Sequence, residues 1–171
     1  PAGSDTAILS IFGYDPRKYY SGRSPLEAAG CGVKLKSGEI SFRVNVVTLG
    51  DEPEFLEKTI LSHNGGNVEG WESIELMQAC LADKQFCQLC AKLNLRFKLN
   101  PSFRHIGFMD SGVKVLPQTP PHEILSRVIG PYMQKDGVTA VLVALMQREF
   151  EVMDGHEINQ KRRAAGKNAA N

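Results

Sequence analysis

The chain has 171 residues, 42% of them apolar, and a formal net charge of +1. That length fits one domain, or one domain with a short appendage, and leaves ample apolar side chains for a core. The near-neutral charge gives no general attraction to nucleic acid or membrane surfaces, and no apolar run reaches the roughly eighteen residues of a spanning helix.

The N-terminus starts at Pro1 without a secretory pattern. It reads as the start of a processed product or an excised piece. Asp5 to Phe12 is expected to form a short helix, opened by Gly3-Ser4-Asp5 and ended by Gly13 and the turn Tyr14-Asp15-Pro16. Two readings of Gly3-Ser4-Asp5 stay open. It is an ordinary cap, with Ser4 or Asp5 accepting from the first free N–H groups, or it is a nucleophile at a helix start. A second helix is expected at Ser24-Pro25-Leu26-Glu27-Ala28-Ala29-Gly30, with Ser24 as N-cap, Pro25 at the first helical position, Glu27 as capping-box acid and Gly30 as stop.

Ile40 to Leu49 alternates as a strand. Ile40, Phe42, Val44 and Val46 share the face assigned to the core; Ser41, Arg43, Asn45 and Val47 share the other. Arg43 and Asn45 thus project together, onto a solvated sheet face or as donors aimed at a ligand. Phe55 to Leu61 reads as a weaker strand, His63 to Asn67 as a loop, and Glu72 to Asp83 as a helix burying Trp71, Ile74, Met77, Cys80 and Leu81.

The four cysteines are Cys31, Cys80, Cys87 and Cys90. Cys87 and Cys90 have the spacing of a metal or redox pair, but no second close pair completes a four-ligand zinc site. Their apolar flanks predict buried, reduced thiols and a cytoplasmic setting.

A meander follows. Leu93 to Leu99 alternates, Phe103 to Met109 returns, and Val113 to Leu116 runs back after a turn. Arg104 and His105, being adjacent, point to opposite faces. Thr119 to Glu123 is a rigid loop before a short helix at Ile124 to Ile129. Val138 to Met153 is the longest helix, with a core stripe of Val138, Val141, Leu142, Leu145, Met146, Val152 and Met153. In the closing segment His156 to Arg163, Arg162 and Arg163 suit either a phosphate or the negative end of a helix. Strands joined by hairpins and separated by helices define an α+β fold, an antiparallel or mixed sheet with helices packed on it.

Several of these motifs occur together in one known order. They are Gly3-Ser4-Asp5, Phe12 to Pro16, Tyr19 to Ala28, Phe42-Arg43-Val44-Asn45, Phe103-Arg104-His105, Thr119-Pro120-Pro121-His122 and His156 to Arg163. The series resembles archaeal-type cofactor-independent phosphoglycerate mutases of the alkaline phosphatase superfamily, a group that includes bacterial members labelled homoserine kinases. The departures are Arg-Val-Asn where the family usually has Arg-Cys-Asn, and His-Glu-Ile-Asn for His-Pro-Val-Asn. The likeness covers essentially the whole chain and is weakest from His63 to Cys90.

The resemblance implies a glycolytic isomerase that interconverts 3- and 2-phosphoglycerate through a phosphoserine. It puts Ser4 at the nucleophile and makes Arg43, Asn45, Arg104, His105, Arg162 and Arg163 candidate contacts to a small phosphorylated acid. It also implies two divalent metal ions (Mn, Mg or Zn), with Ser4 as one ligand and the others outside this chain. No metal is therefore expected in the piece alone, which should be inactive. By this reading residues 1–30 belong to a phosphatase-like core, residues 31–166 are an insert or cap domain, and residues 167–171 return toward the core, the missing partner. The competing readings are a phosphotransferase or phosphatase on another small substrate such as homoserine, and a non-catalytic binding domain.

Overall fold

The computed structural model describes residues 3–112, 118–133 and 137–171. Along the chain come helices α1 (Ser4–Ile11), α2 (Pro16–Tyr19) and α3 (Arg23–Gly30), then strands β1 (Glu39–Asn45), β2 (Thr48–Leu49) and β3 (Ile60–Ser62). Helices α4 (Gly70–Ala82) and α5 (Lys84–Lys92), strands β4 (Arg96–Lys98) and β5 (Arg104–Asp110), and helices α6 (Gly137–Asp154) and α7 (Glu157–Ala164) complete the order. This is the expected α+β class. The expected strand at Val113 to Leu116 lies outside the described residues.

The main sheet is antiparallel, in the order β1-β5-β4. Its pleat sorts two sets of side chains. One set faces α4 and α5: buried Phe86 of α5 stacks on Phe97 with ring centroids 6.0 Å apart, and Ser73 of α4 meets His105. Gly107 belongs to this face because the Phe42 ring of the neighbouring strand lies where a Cβ would stand. The other set, including Ser41, Arg43, Ile106 and Phe108, faces α3. Ala28, Ile106 and Phe108 form a small core there, all essentially inaccessible.

The burial pattern differs from expectation at this point. Ile40, Phe42 and Val44 are only half-buried, and the polar face of β1 is not solvated but covered by α3. Periodicity separates two faces; it does not reveal which of them a remote helix covers.

The largest core gathers Leu76, Met77 and Cys80 of α4, Phe86 and Cys90 of α5, Leu145 and Met153 of α6 and Ile158 of α7. A second lies around Leu49, Phe55, Ile60, Ile124 and Ile129. Helix α6 serves both: Leu145 and Met153 face the first, Val143, Met146 and Phe150 the second. The single stripe expected on this helix is therefore two faces.

Other expectations are corrected locally. Ile40 to Leu49 is not one strand: Thr48 and Leu49 pair with β3 in a separate sheet. Phe55–Glu57 is a 3-10 turn, so of the expected strand Phe55 to Leu61 only Ile60 and Leu61 are extended, within β3. Residues 84–92 form α5, which the sequence reading missed. Asp83 caps it by accepting from the Phe86 N–H at 2.8 Å, and Phe86 and Cys90, four residues apart, face inward. Cys90 is buried but Cys87 is exposed, so the expected burial of both thiols holds for only one. Residues 124–129 are irregular rather than helical, and Trp71 is 58% exposed instead of buried.

The C-terminal residues run beside β2. Thr48 Oγ1 donates to the Ala169 carbonyl at 2.7 Å, the Leu49 N–H to Asn171 Oδ1 at 2.9 Å, and the Asn171 N–H to the Val47 carbonyl at 2.9 Å. Buried Asn159 holds the same segment, donating to the Ala170 carbonyl and accepting from the Ala170 N–H.

Candidate functional site

Gly3, not Ser4 or Asp5, is the N-cap of α1. Thr6 Oγ1 accepts from the Gly3 N–H at 3.0 Å and donates to the Gly3 carbonyl at 2.8 Å. The Ser4 hydroxyl is thereby released from capping and stands exposed at the first helical position. Arg23 lies against both neighbours of Ser4. It forms an ion pair with Asp5, and its Nη2 is 3.6 Å from where a Gly3 Cβ would be.

Helix α3 carries Arg23 and Glu27 to the sheet. Its N-cap is Gly22, so Ser24 is not the cap but the second helical residue. Ser24 Oγ bonds Ser41 Oγ at 2.6 Å, which pins the helix on β1. Glu27 is not a capping-box acid. It accepts from Arg43 Nε at 2.9 Å, binds Arg43 Nη2 with its other oxygen, and lies 3.6 Å from Arg104 Nη1. Arg104 sits opposite Asn45 in the β1–β5 ladder, so the two share this face with Arg43.

The site is therefore Asp5, Arg23, Glu27, Arg43 and Arg104, three cations against two anions, with Ser4 at its rim. Its hydrogen bonding is incomplete: Arg104 Nε and Asn45 Oδ1 are both buried with no partner within the described residues. Burial chiefly, then the like charge of Arg43, lowers the pKa of Arg104 from its ordinary value; Glu27 opposes this and Arg23 adds to it. Paired guanidiniums with spare, partly desolvated donors favour a phosphate or carboxylate.

The remaining candidates lie elsewhere. His105 points to the opposite face and is fully buried. Its Nδ1 accepts from the Asn100 N–H at 3.1 Å, so its Nε2 carries the proton shared with Ser73 Oγ at 2.9 Å. Arg162 is buried too, donating to Glu72 at 2.5 Å and to the carbonyls of Gly65 and Gly66 at 2.9 Å each. Exposed Arg163 pairs with Asp154. The structure thus groups Arg43, Asn45 and Arg104 at one end of the β1–β5 ladder, with the Ser4 segment tied to α3 through Arg23, and sets His105, Arg162 and Arg163 apart. Arg23, Asp5 and Glu27 were missed as site residues, although the Gly22-Arg23-Ser24-Pro25-Leu26-Glu27 run contains the signal: Arg23 and Glu27 are four apart on one helix.

Among the described residues no three His, Cys, Asp or Glu side chains gather as metal ligands. Ser4 and Asp5 offer neighbouring oxygens, but Asp5 is engaged by Arg23. The residues present do not by themselves fit a divalent-metal site.

Two groups, the buried His105 and the half-buried Glu149, make stability depend on pH in opposite directions. Burial lowers His105 from 6.5 to about 4. The unfolded chain therefore takes up this proton first, and the His105 contribution, full above pH 6.5, is lost as pH falls toward 4. Burial raises Glu149, on α6 beside Cys80 and Cys90, from 4.5 to about 7. The folded chain keeps that proton while the unfolded chain has released it, so stability falls as pH rises from 4.5 through 7. Glu149→Gln should therefore stabilise the protein by about 1–3 kcal/mol at pH 8 and by little at pH 4. Urea unfolding of both forms at the two pH values checks this; an equal difference at each contradicts it.

The fold and site define an α+β domain with a clustered-arginine surface beside an exposed serine. The family pattern for 2,3-bisphosphoglycerate-independent phosphoglycerate mutase matches residues 1–159, and the chain belongs to that family. Among similar proteins is the probable 2,3-bisphosphoglycerate-independent phosphoglycerate mutase of Geobacter sulfurreducens, 35% identical over 174 residues, 100% of this chain and 41% of the relative. Mutase 1 of Archaeoglobus fulgidus is 33% identical over 170 residues, 99% of this chain and 41% of the relative. A solved Pyrococcus horikoshii protein, 29% identical, superposes with a TM-score of 0.59 over 100% of this chain and 35% of its own. The cofactor-independent phosphoglycerate mutase of Thermoplasma acidophilum has the same fold, with a TM-score of 0.56 at 24% identity over 100% of this chain and 44% of its own. The chain thus spans about 41% of the length of the first curated relatives. Among the described residues no helix is long and apolar enough to cross a membrane.

Proposed function

We propose that this chain is the substrate-facing part of a phosphoglycerate mutase that interconverts 3- and 2-phosphoglycerate, with Ser4 as phosphoryl acceptor. The observation carrying this reading is the exposed Ser4 hydroxyl, flanked by Arg23 contacts and joined through Arg23 to the group containing Arg43 and Arg104. In the first half-reaction the Ser4 hydroxyl loses its proton and its oxygen bonds to phosphorus as the bond from phosphorus to the glycerate oxygen breaks, and that oxygen takes a proton to become a hydroxyl. In the second, the other glycerate hydroxyl takes the phosphoryl group and Ser4 is restored. Arg43 and Arg104 hold phosphoryl or carboxylate oxygens, and Asn45 adds a neutral contact. The helix start at Ser4 favours the phosphate further.

His105, Arg162 and Arg163 enter as supports in this reading. His105 fixes the strand bearing Arg104, and Arg162 and Arg163 hold the C-terminal segment. In this reading two divalent ions would neutralise the phosphoryl oxygens; the remainder of the whole protein would hold them, and the Ser4 oxygen is the one ligand this chain would add. Within residues 1–30, α3 docks on the insert's sheet, and that remainder is the partner for the α1 segment, where Ile8, Ile11 and Phe12 are 51%, 80% and 74% exposed. Residues 31–166 form the insert and 167–171 lead back to the core. The four free thiols accord with a cytoplasmic setting.

The test is conversion of 3-phosphoglycerate by the whole protein supplied with manganese, with homoserine and other small substrates assayed in parallel. Mutase turnover is expected. A folded, metal-supplied protein that does not interconvert the two acids overturns the assignment.

A further inference from the structure

We propose that Glu27 is a positioning residue of the oxyanion site. Its carboxylate holds Arg43 and Arg104 side by side, leaving their remaining donors to a ligand phosphate or carboxylate. The ligand's identity rests on the mutase reading; the positioning does not.

Arg43 and Arg104 repel each other, and each is a long side chain that loses rotamer freedom when held. The like charge of Arg43 already acts to lower the pKa of Arg104. In the unliganded protein an anion between them is what makes their adjacency favourable. Glu27 meets that requirement with both oxygens, taking the Nε and Nη2 edge of Arg43 while one oxygen also faces Arg104 Nη1 at 3.6 Å. It therefore occupies the Nε–Nη2 edge of the Arg43 fork, and among the described residues no hydrogen bond is made by Nη1. Among the described residues the buried Arg104 Nε has no partner, so the acid does not saturate the site.

Glu27 is also delivered rigidly. It lies three residues after Ser24 and one before Ala28, on the α3 face that docks on the sheet. The Ser24–Ser41 bond and the fully buried Ala28 fix that face. An exposed ion pair between flexible side chains lacks such support. The alternative role is a competitor that occupies the arginines until a ligand displaces it. The two roles predict opposite changes when the acid is removed.

In the whole protein, Glu27→Ala should weaken binding of inorganic phosphate and of 3-phosphoglycerate by about 10- to 100-fold. Glu27→Gln, which keeps an acceptor but not the charge, should fall between that variant and wild type. KM for 3-phosphoglycerate should rise more than kcat falls. In the unsubstituted protein, the Arg43 Nε–H resonance should exchange slowly with water, a readout that requires neither a variant nor turnover. Binding unchanged or tighter in a folded Glu27→Ala protein, or an Arg43 Nε–H exchanging as fast as a free arginine's, overturns the proposal. Lack of mutase turnover with a protected Nε–H and weakened phosphate binding on substitution overturns the mutase reading alone.

Discussion

Ser4→Ala in the whole protein should lower mutase kcat by about a thousandfold or more while leaving the melting temperature nearly unchanged. The two halves of this expectation have separate causes. The hydroxyl is exposed and takes no part in capping α1, because Gly3 and Thr6 close that helix start between them. Its loss therefore removes no structural bond identified at the N-terminus, and exposed substitutions of this kind usually shift stability by less than about 0.5 kcal/mol. The same oxygen is the acceptor in the proposed transfer, and alanine has nothing to replace it. KM should change little, because the arginines remain. Activity within about twofold of wild type would remove Ser4 from the mechanism.

Arg162→Met should destabilise the protein by about 3–5 kcal/mol, the usual penalty for breaking a buried pair from one side. The Arg162 side chain is only 2% exposed, and it satisfies four acceptors on three separate segments. Besides Glu72, these are the carbonyls of Gly65, Gly66 and Asn168. The two glycines turn through left-handed backbone, with φ of 60° and 59°, which brings both carbonyls to one guanidinium nitrogen. Methionine fills the volume but leaves the Glu72 carboxylate buried without its cation. Lysine restores the charge without the planar fork and should recover only part of the loss. Replacing Glu72 by leucine as well should return a substantial share, because the stranded charge is then gone. Thermal melting of the three variants decides this. A single-variant cost below about 1 kcal/mol would mean that Arg162 is replaceable in the fold.

These two residues illustrate what was legible in the sequence. Local alternation separated Arg104 from His105 and put Arg43 with Asn45, and the structure keeps both relations because strand pleating depends on nearest neighbours. The long helix at Gly137–Asp154 was legible for a similar reason. The destination of each face was not. Whether the polar side of β1 meets water or α3 depends on contacts between residues 24 and 41 and between 27 and 43, which no periodicity encodes. Arg162 shows the same limit more sharply: its ion-pair partner Glu72 is ninety positions away. Glu27 was assigned to a cap because Ser-Pro-x-Glu matches the capping pattern, yet Gly22 opens the helix and the acid is freed for the arginines.

The most direct test of the account is to find where the phosphate goes. The whole, metal-supplied protein is mixed with 3-phosphoglycerate, quenched in acid during turnover, digested, and its phosphopeptides are mapped by mass spectrometry. Phosphate on Ser4, absent from the Ser4→Ala protein, is the predicted result. Turnover with phosphate on another residue and none on Ser4 would contradict it.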